Sequence, residues 1–289
     1  MTPEQHRPAA RWLEARYARL CSWSAPSLFG GFLAWFGLWT LGAVIFVDLV
    51  ISRRDRTGMS DSAAALMPAV GVLFSFLTGF VIANQWTRSR TAENTVSAES
   101  NAGLRLALSS ESLGAQGARL RGQLAAYVET VIDDEWPSMS DPATSVHHGH
   151  KATDGELRRL ETLTRTAAND ADTTPTTAAD LLASVAAVAT TRRDRLNLAG
   201  HGLPAPVFGL AFLSGVVLCL NASAFASGVD PWASIPIFGM VVLIALDLAL
   251  ILAISAPFTG YIRVRPDALR HLADELRAGE YGALTEHHR

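Results

Sequence analysis

Apolar residues are not spread evenly along this chain. They run almost unbroken through Gly30–Ile51, from about Ala63 to Trp86, through Leu203–Val229 and from about Ile235 to Ala256. A helix rising about 1.5 Å per residue crosses a hydrocarbon core of about 30 Å in some twenty residues, so each block predicts a membrane span. Between the second and third blocks the pattern changes. Leu106, Leu113, Leu120 and Tyr127 recur seven apart with Leu124 and Val131 beside them, which predicts one amphipathic helix reaching Asp133-Asp134-Glu135 and ending by Pro137. The Ser-, Pro-, Asp-, Gly- and His-rich stretch Pro137–Gly155 reads as a loop. Glu156–Asn169 and Thr177–Leu198 read as two more helices, the second with Leu181, Val185 and Val188 on one face. No alternating pattern argues for a strand. The predicted fold is all-α: an integral membrane protein with four transmembrane helices in two hairpins and a helical cytoplasmic insertion between the second and third.

The boundaries follow: 1–28 an amphipathic N-terminal tail, 29–86 the first hairpin, 87–202 a cytoplasmic helical domain, 203–257 the second hairpin and 258–289 a C-terminal tail. In the tail, Trp12, Leu13, Tyr17 and Leu20 fall near one helical face with Arg11, Arg16 and Arg19 available to anionic headgroups, as an interfacial anchor or a mobile segment. The tail has no early apolar core of the kind a cleavable signal needs. Arg53, Arg54 and Arg56 are expected in a short loop between the first two spans, Gly228–Pro231 in the turn between the last two, and Trp232 in the headgroup layer. The second span is the organising stretch, because its helical phase runs on past Trp86 into water. Gly71, Ser75, Gly79 and Ala83 draw a stripe of small side chains on it, and Ala211, Gly215, Cys219 and Ser223 draw another on the third span. The two stripes can pack together, or the second span can stand at the centre of an oligomer and line a pathway.

Composition changes this picture little. The chain of 289 residues has a formal net charge of −3, which gives no reason to expect nucleic acid, and Lys151 is its one lysine. Cys21 and Cys219 fall in the tail and in a span, so a disulfide between them is not expected. Arginines near the span ends favour placing both termini and the helical domain in the cytoplasm, on the side of Arg88, Arg90, Arg192, Arg193, Arg195, Arg263 and Arg265; Arg53, Arg54 and Arg56 are the counter-signal.

Candidate chemistry is sparse. Asp247 lies near the middle of the fourth span, where an ionised carboxylate without water or a partner costs at least ~2.5 kcal/mol. It is either an ion or proton site, or a hydrogen-bonded carboxyl pinning two helices through Asn221. Asp48, near a helix end, is expected to reach interfacial water. His147, His148 and His150 have ligand chemistry for a metal but sit in a loop without fixed geometry, so no metal or other cofactor is assigned. No G-x-S-x-G elbow or H-E-x-x-H helix organises the Ser, His and Asp residues, and no catalytic residue is assigned.

Several short segments in order carry a family resemblance. They are Gly79-Phe80-Val81-Ile82-Ala83-Asn84-Gln85-Trp86, then Ala92-Glu93-Asn94-Thr95-Val96-Ser97-Ala98-Glu99-Ser100-Asn101-Ala102, then Arg192-Arg193-Asp194-Arg195-Leu196-Asn197-Leu198-Ala199 with Pro204, and Ala256-Pro257-Phe258-Thr259-Gly260-Tyr261-Ile262-Arg263-Val264. Across about Phe32 to Leu272 the chain resembles the bestrophin-like DUF4239 family. Where that family often places an acidic residue before its Pro-Phe-x-Gly element, Ser255 and Ala256 stand here. The resemblance implies a channel, anion-conducting by likeness to bestrophins, and gives Glu99 the role of an interhelical or intersubunit polar contact.

The expected function is therefore an oligomeric ion channel in the cell membrane, with inorganic ions and the lipid bilayer as its partners. Leu73, Leu77 and Phe80 are expected to form a hydrophobic constriction along the second span, with Asn84 at its cytoplasmic mouth. The alternative is a non-conducting scaffold or sensor whose helical domain recruits a cytoplasmic partner.

Overall fold

The computed structural model describes residues 24–140, 150–200, 203–226, 234–259 and 261–279. The N-terminal amphipathic face, His147 and His148, and the Gly228–Pro231 turn with Trp232 lie outside the described residues. Among the described residues there is no strand. The helices are α1 (Ala25–Val50), α2 (Arg53–Ser109), α3 (Gly114–Thr130), α4 (Trp136–Ser140), α5 (His150–Ala168), α6 (Pro175–Gly200), α7 (Ala205–Ala226), α8 (Ser234–Ile254) and α9 (Asp267–Ala278). A 3-10 turn, Glu111–Leu113, precedes α3 and a π turn, Val131–Glu135, follows it. Four of these helices are long and apolar enough to cross a membrane: α1, α2, α7 and α8.

The arginines expected in the first loop are helical instead. Ser52 starts α2 by a reciprocal cap: its Oγ donates to Asp55 Oδ2 at 2.6 Å and accepts the Asp55 N–H at 3.3 Å. The hydroxyl thus satisfies an N–H that the first turn would otherwise leave open, while the Asp55 carboxylate holds the hydroxyl rather than the Ser52 backbone N–H of a full capping box. Only Ile51 and Ser52 therefore separate α1 from α2. Arg56 pairs with Asp48 at 2.6 Å across that junction.

Past Trp86, α2 continues because its next apolar positions keep helical spacing. Ala92, Val96, Leu106 and Ala107 are buried, and no glycine or proline falls between Phe80 and Ala102. The single helix expected through Leu106, Leu113, Leu120 and Tyr127 is broken, however. Gly114 has φ +52°, a backbone setting that suits glycine, and it separates Leu106 in α2 from Leu120 and Tyr127 in α3. A Cβ on Gly117 would stand 1.9 Å from the Ser110 carbonyl oxygen, so the backbone crosses itself here at a distance only glycine permits. Pro137 does not end the helical run either. The π turn before it widens the helix, with the Trp136 N–H reaching Val131 O, and Pro137 then sits in the first turn of α4, where its missing N–H matters least.

The chain forms two compact units. The first comprises 1–88, 203–256 and 260–262; the second comprises 89–202, 257–259 and 263–289. In the first unit Phe36, Phe74, Val81, Leu218, Ile244, Leu248 and Ile251 make the core. Its helices are also tied by polar groups: Ser60 Oγ donates to Phe225 O at 3.0 Å, and Asn221 Nδ2 donates to Ala63 O at 3.0 Å. In the second unit Leu106, Leu120, Leu124, Val128, Leu160, Leu181 and Val188 are buried together with Phe258, Leu269 and Leu272. The stretch expected as a C-terminal tail thus supplies core side chains and the helix α9.

Candidate functional site

In α2 the face through Phe74, Thr78, Val81 and Gln85 is buried. The residues expected to line a pathway lie off that face. Leu73 and Phe80 are 62% and 59% exposed in the single chain, Asn84 is exposed, and Leu77 is half-buried against the core. Ideal helical rotation places Leu73, Phe80 and Asn84 within a narrow sector. They belong to a broad surface of α2, which also carries the exposed Val72 and Phe76, that the chain's own helices leave uncovered.

The two small-residue stripes do not dock on each other. Ser75, Gly79 and Ala83 are exposed and Gly71 is half-buried, while nothing stands within 4 Å of a Cβ built on Gly71 or Gly79. Ala211 and Gly215, by contrast, are buried, and a Cβ on Gly215 would meet Ile244 Cγ2 at 3.0 Å and the Phe36 ring at 3.4 Å. The third span thus uses its small residues to admit a bulky aliphatic and an aromatic side chain, which gain more contact area than a second row of glycines.

Asp247 is half-exposed in α8, and no hydrogen bond or ion pair to it forms among the described residues. The link expected to Asn221 is absent because that amide is occupied elsewhere, donating to Ala63 O with Met67 Sδ at 3.2 Å. His150 opens α5, and among the described residues no three His, Cys, Asp or Glu side chains gather as a metal ion would require.

The densest chemistry lies in the second unit. Glu99 is 1% exposed and holds three donors: Tyr127 Oη at 2.6 Å, Arg195 Nε at 2.7 Å and Arg195 Nη2 at 3.2 Å. Arg195, fully buried, also donates through Nη2 to Glu135 Oε1 at 2.6 Å and lies with its guanidinium carbon 5.6 Å from the centre of the Trp136 ring. Arg192 donates through Nε to Glu135 Oε2 at 3.0 Å, forms a second bond to that oxygen through Nη2, and reaches Asp154 through Nη1 at 2.6 Å. The chain of contacts runs Tyr127, Glu99, Arg195, Glu135, Arg192, Asp154, and only Asp154 is substantially open to water.

Environment sets the protonation of these groups. Burial, and then the neighbouring Glu99 carboxylate, pushes the Tyr127 phenol well above its ordinary value, so it stays a donor. Burial alone would raise Glu135; the charge of Arg195, with the hydrogen bonds and charge of Arg192, outweighs it and holds the carboxyl below its ordinary value. Burial opposes the charge on Arg195, but Glu99 and Glu135 outweigh it and its pKa is raised. Within one chain Glu99 bridges α2 to α3 and α6. Arg195, which binds it directly, and Glu135 and Arg192, which join it through Arg195, were not singled out from the sequence, where the two arginines read as membrane-flanking charge.

Membrane-crossing helices arranged around buried apolar cores define the class: a multi-pass, all-helical membrane protein that associates with the lipid bilayer. Residues 34–269 match the family described as Bestrophin-like domain, and the chain belongs to that family. No curated protein matches the chain. Among solved structures it is similar to a variant of a bacterial Bestrophin homolog from Klebsiella pneumoniae, with TM-score 0.67 and 12% identity over 86% of this chain and 99% of that one. A second structure of a Klebsiella pneumoniae Bestrophin homolog, phased on zinc, gives TM-score 0.66 and 12% identity over 86% and 97%. A structure described as a membrane protein gives TM-score 0.65 and 14% identity over 90% and 99%. At these identities the likeness is one of fold.

Proposed function

We propose that the protein is an oligomeric ion channel of the cell membrane, anion-conducting, with α2 lining the pathway. Leu73, Leu77 and Phe80 form its hydrophobic constriction and Asn84 stands at its mouth. One observation carries the reading: Leu73, Phe80 and Asn84 of α2 are left uncovered by the rest of their own chain, with Leu77 half-buried beside them, in a protein of the Bestrophin-like family. A ring of copies would gather several such strips around an axis, where apolar side chains exclude water until they part. The 87–202 stretch and both termini lie in the cytoplasm in this reading. Arg192 and Arg195 no longer count toward that side, since carboxylates inside the helical unit neutralise them, but Arg56 is likewise paired with Asp48. Arg193, Arg263 and Arg265, all exposed, are the arginines that favour the cytoplasmic side, with Arg53 and Arg54 on the other.

The test is ion flux into liposomes containing purified protein, chloride against potassium, with Leu77→Ala alongside. Replacing Leu77 by Ala should increase flux by widening and wetting the constriction. Unchanged flux in a correctly assembled variant removes Leu77 from the gate. No flux from folded, assembled wild-type protein refutes the channel.

A further inference from the structure

The geometry points to Asp247 as a proton-binding site, the one point in the interior of the membrane-crossing spans where a charge can appear or vanish. Two carboxyl groups fall in the spans, and the first shows what the second lacks. Asp48 stands two residues from the end of α1 and pairs with Arg56 at 2.6 Å. Asp247 stands seven residues before the last of α8, about 10 Å inside it, and its short stem cannot carry the carboxyl out to the end as a long side chain would. Among the described residues no charged group acts on it.

Assembly does not change this. Within residues 25–47, 62–87, 205–226 and 234–254 the chain carries no other Asp or Glu, and no Lys, Arg or His at all. Every copy repeats that sequence, so a neighbour packed span against span brings no fixed cation to Asp247 either. A carboxylate in hydrocarbon without a cation is strongly disfavoured, so the cation has to be mobile. A metal ion needs about six oxygen ligands, and one turn to either side of Asp247 stand Leu243, Ile244, Leu250 and Ile251, which offer none. A proton needs no such shell. It bonds to one carboxylate oxygen, comes from water at the end of the spans, and leaves a neutral acid that lipid or a neighbouring helix can cover.

Ile244, Leu248 and Ile251, which flank Asp247 on α8, belong to the core against which Leu77 packs. On the channel reading, on which this step rests, loss of the proton puts a unit negative charge about one helix diameter from the pathway. At about 10 Å and an effective dielectric of about 20, that slows a passing anion about 10-fold.

Infrared difference spectra of the protein in bilayers, wild type minus Asp247→Asn, test the site. At about pH 7 the C=O stretch of a protonated carboxyl should appear in the wild type and be missing from the variant, although an aspartate in water is ionised there. A carboxylate signal in its place overturns the proposal. With Asp247→Glu the band should shift rather than vanish, and an unmoved band belongs to another carboxyl and overturns the assignment. Chloride flux into liposomes reads the consequence. Flux through the wild type should fall about 10-fold as rising pH titrates the band away, and the fall should be absent from Asp247→Asn. The same fall in both overturns control of flux by Asp247. A protonated-carboxyl band in a protein that passes no ions supports the proton site and refutes the channel.

Discussion

Replacing Arg195 by Met isolates what the buried cluster contributes. The side chain is fully buried and bonded to Glu99 at 2.7 Å and to Glu135 at 2.6 Å, with Met139 Sδ at 3.3 Å and the Trp136 ring beneath it. Methionine fills most of the volume, so the cavity term is small and the electrostatic term dominates. Glu135 keeps Arg192, but Glu99 is left with only the Tyr127 hydroxyl. Removing one member of a buried pair in this way costs about 3–5 kcal/mol. At roughly 2–4 °C per kcal/mol for a protein of this size, Tm should fall by roughly 6–20 °C. Thermal unfolding of the purified protein followed by tryptophan fluorescence reads this. Arg195→Met combined with Glu99→Met removes one charge of each sign and should recover most of the loss. A single variant within about 1 kcal/mol of wild type, or a double variant no better than the single, would refute the account of Glu99 as a paired buried carboxylate.

Three further outcomes follow from the geometry. Glu135 has a folded pKa below its unfolded value, so its stabilisation is present above the ordinary carboxylate range and is lost as pH falls through the depressed value; Tm against pH below about 5 should slope less steeply in Glu135→Gln. Gly117→Ala drives a Cβ into the Ser110 carbonyl and should destabilise the protein by about 1–3 kcal/mol, read by denaturant midpoint, whereas Gly122→Ala, at an open position of the same helix, should not. Gly215→Leu overpacks the contact with Ile244 and Phe36 and should lower the thermal stability of the protein in detergent by a similar ~1–3 kcal/mol, while the same change at Gly79 should leave it near wild type.

The four spans and the all-helical fold were legible because a long apolar run has few other uses and because apolar spacing in the insertion was helical throughout. The break after Ser109 was not, since Leu106, Leu113, Leu120 and Tyr127 keep a seven-residue spacing across it; Gly114 and Gly117 were the available signals, and a periodic pattern outweighed them. The cluster partners were hidden by their type. Leu181, Val185 and Val188 continue in the same phase to Arg192 and Arg195, and Ala92 and Val96 continue to Glu99. Arg193, out of phase, is exposed. Following phase rather than residue class would have put two arginines and a glutamate inside, each requiring the other. The strip proposed to line a pathway is visible in sequence only as apolar residues on a membrane helix, where lipid, a neighbouring copy and a pore all accept the same side chains.

The core of the helical unit is finished by the last part of the chain. Phe258, 2% exposed, stands edge-on to Trp136 with ring centres 5.6 Å apart, and Leu269 and Leu272 of α9 fill the same interior. During synthesis these residues emerge only after α8, the final span, has been made. Until then the growing chain holds an apolar opening over Trp136 and Leu124, and the buried charges beside it are one wall short of their dry surroundings. Maturation of the helical unit therefore waits for the last span to be made, and an arrested chain ending before Pro257 is expected to be bound by chaperones that a complete one does not engage.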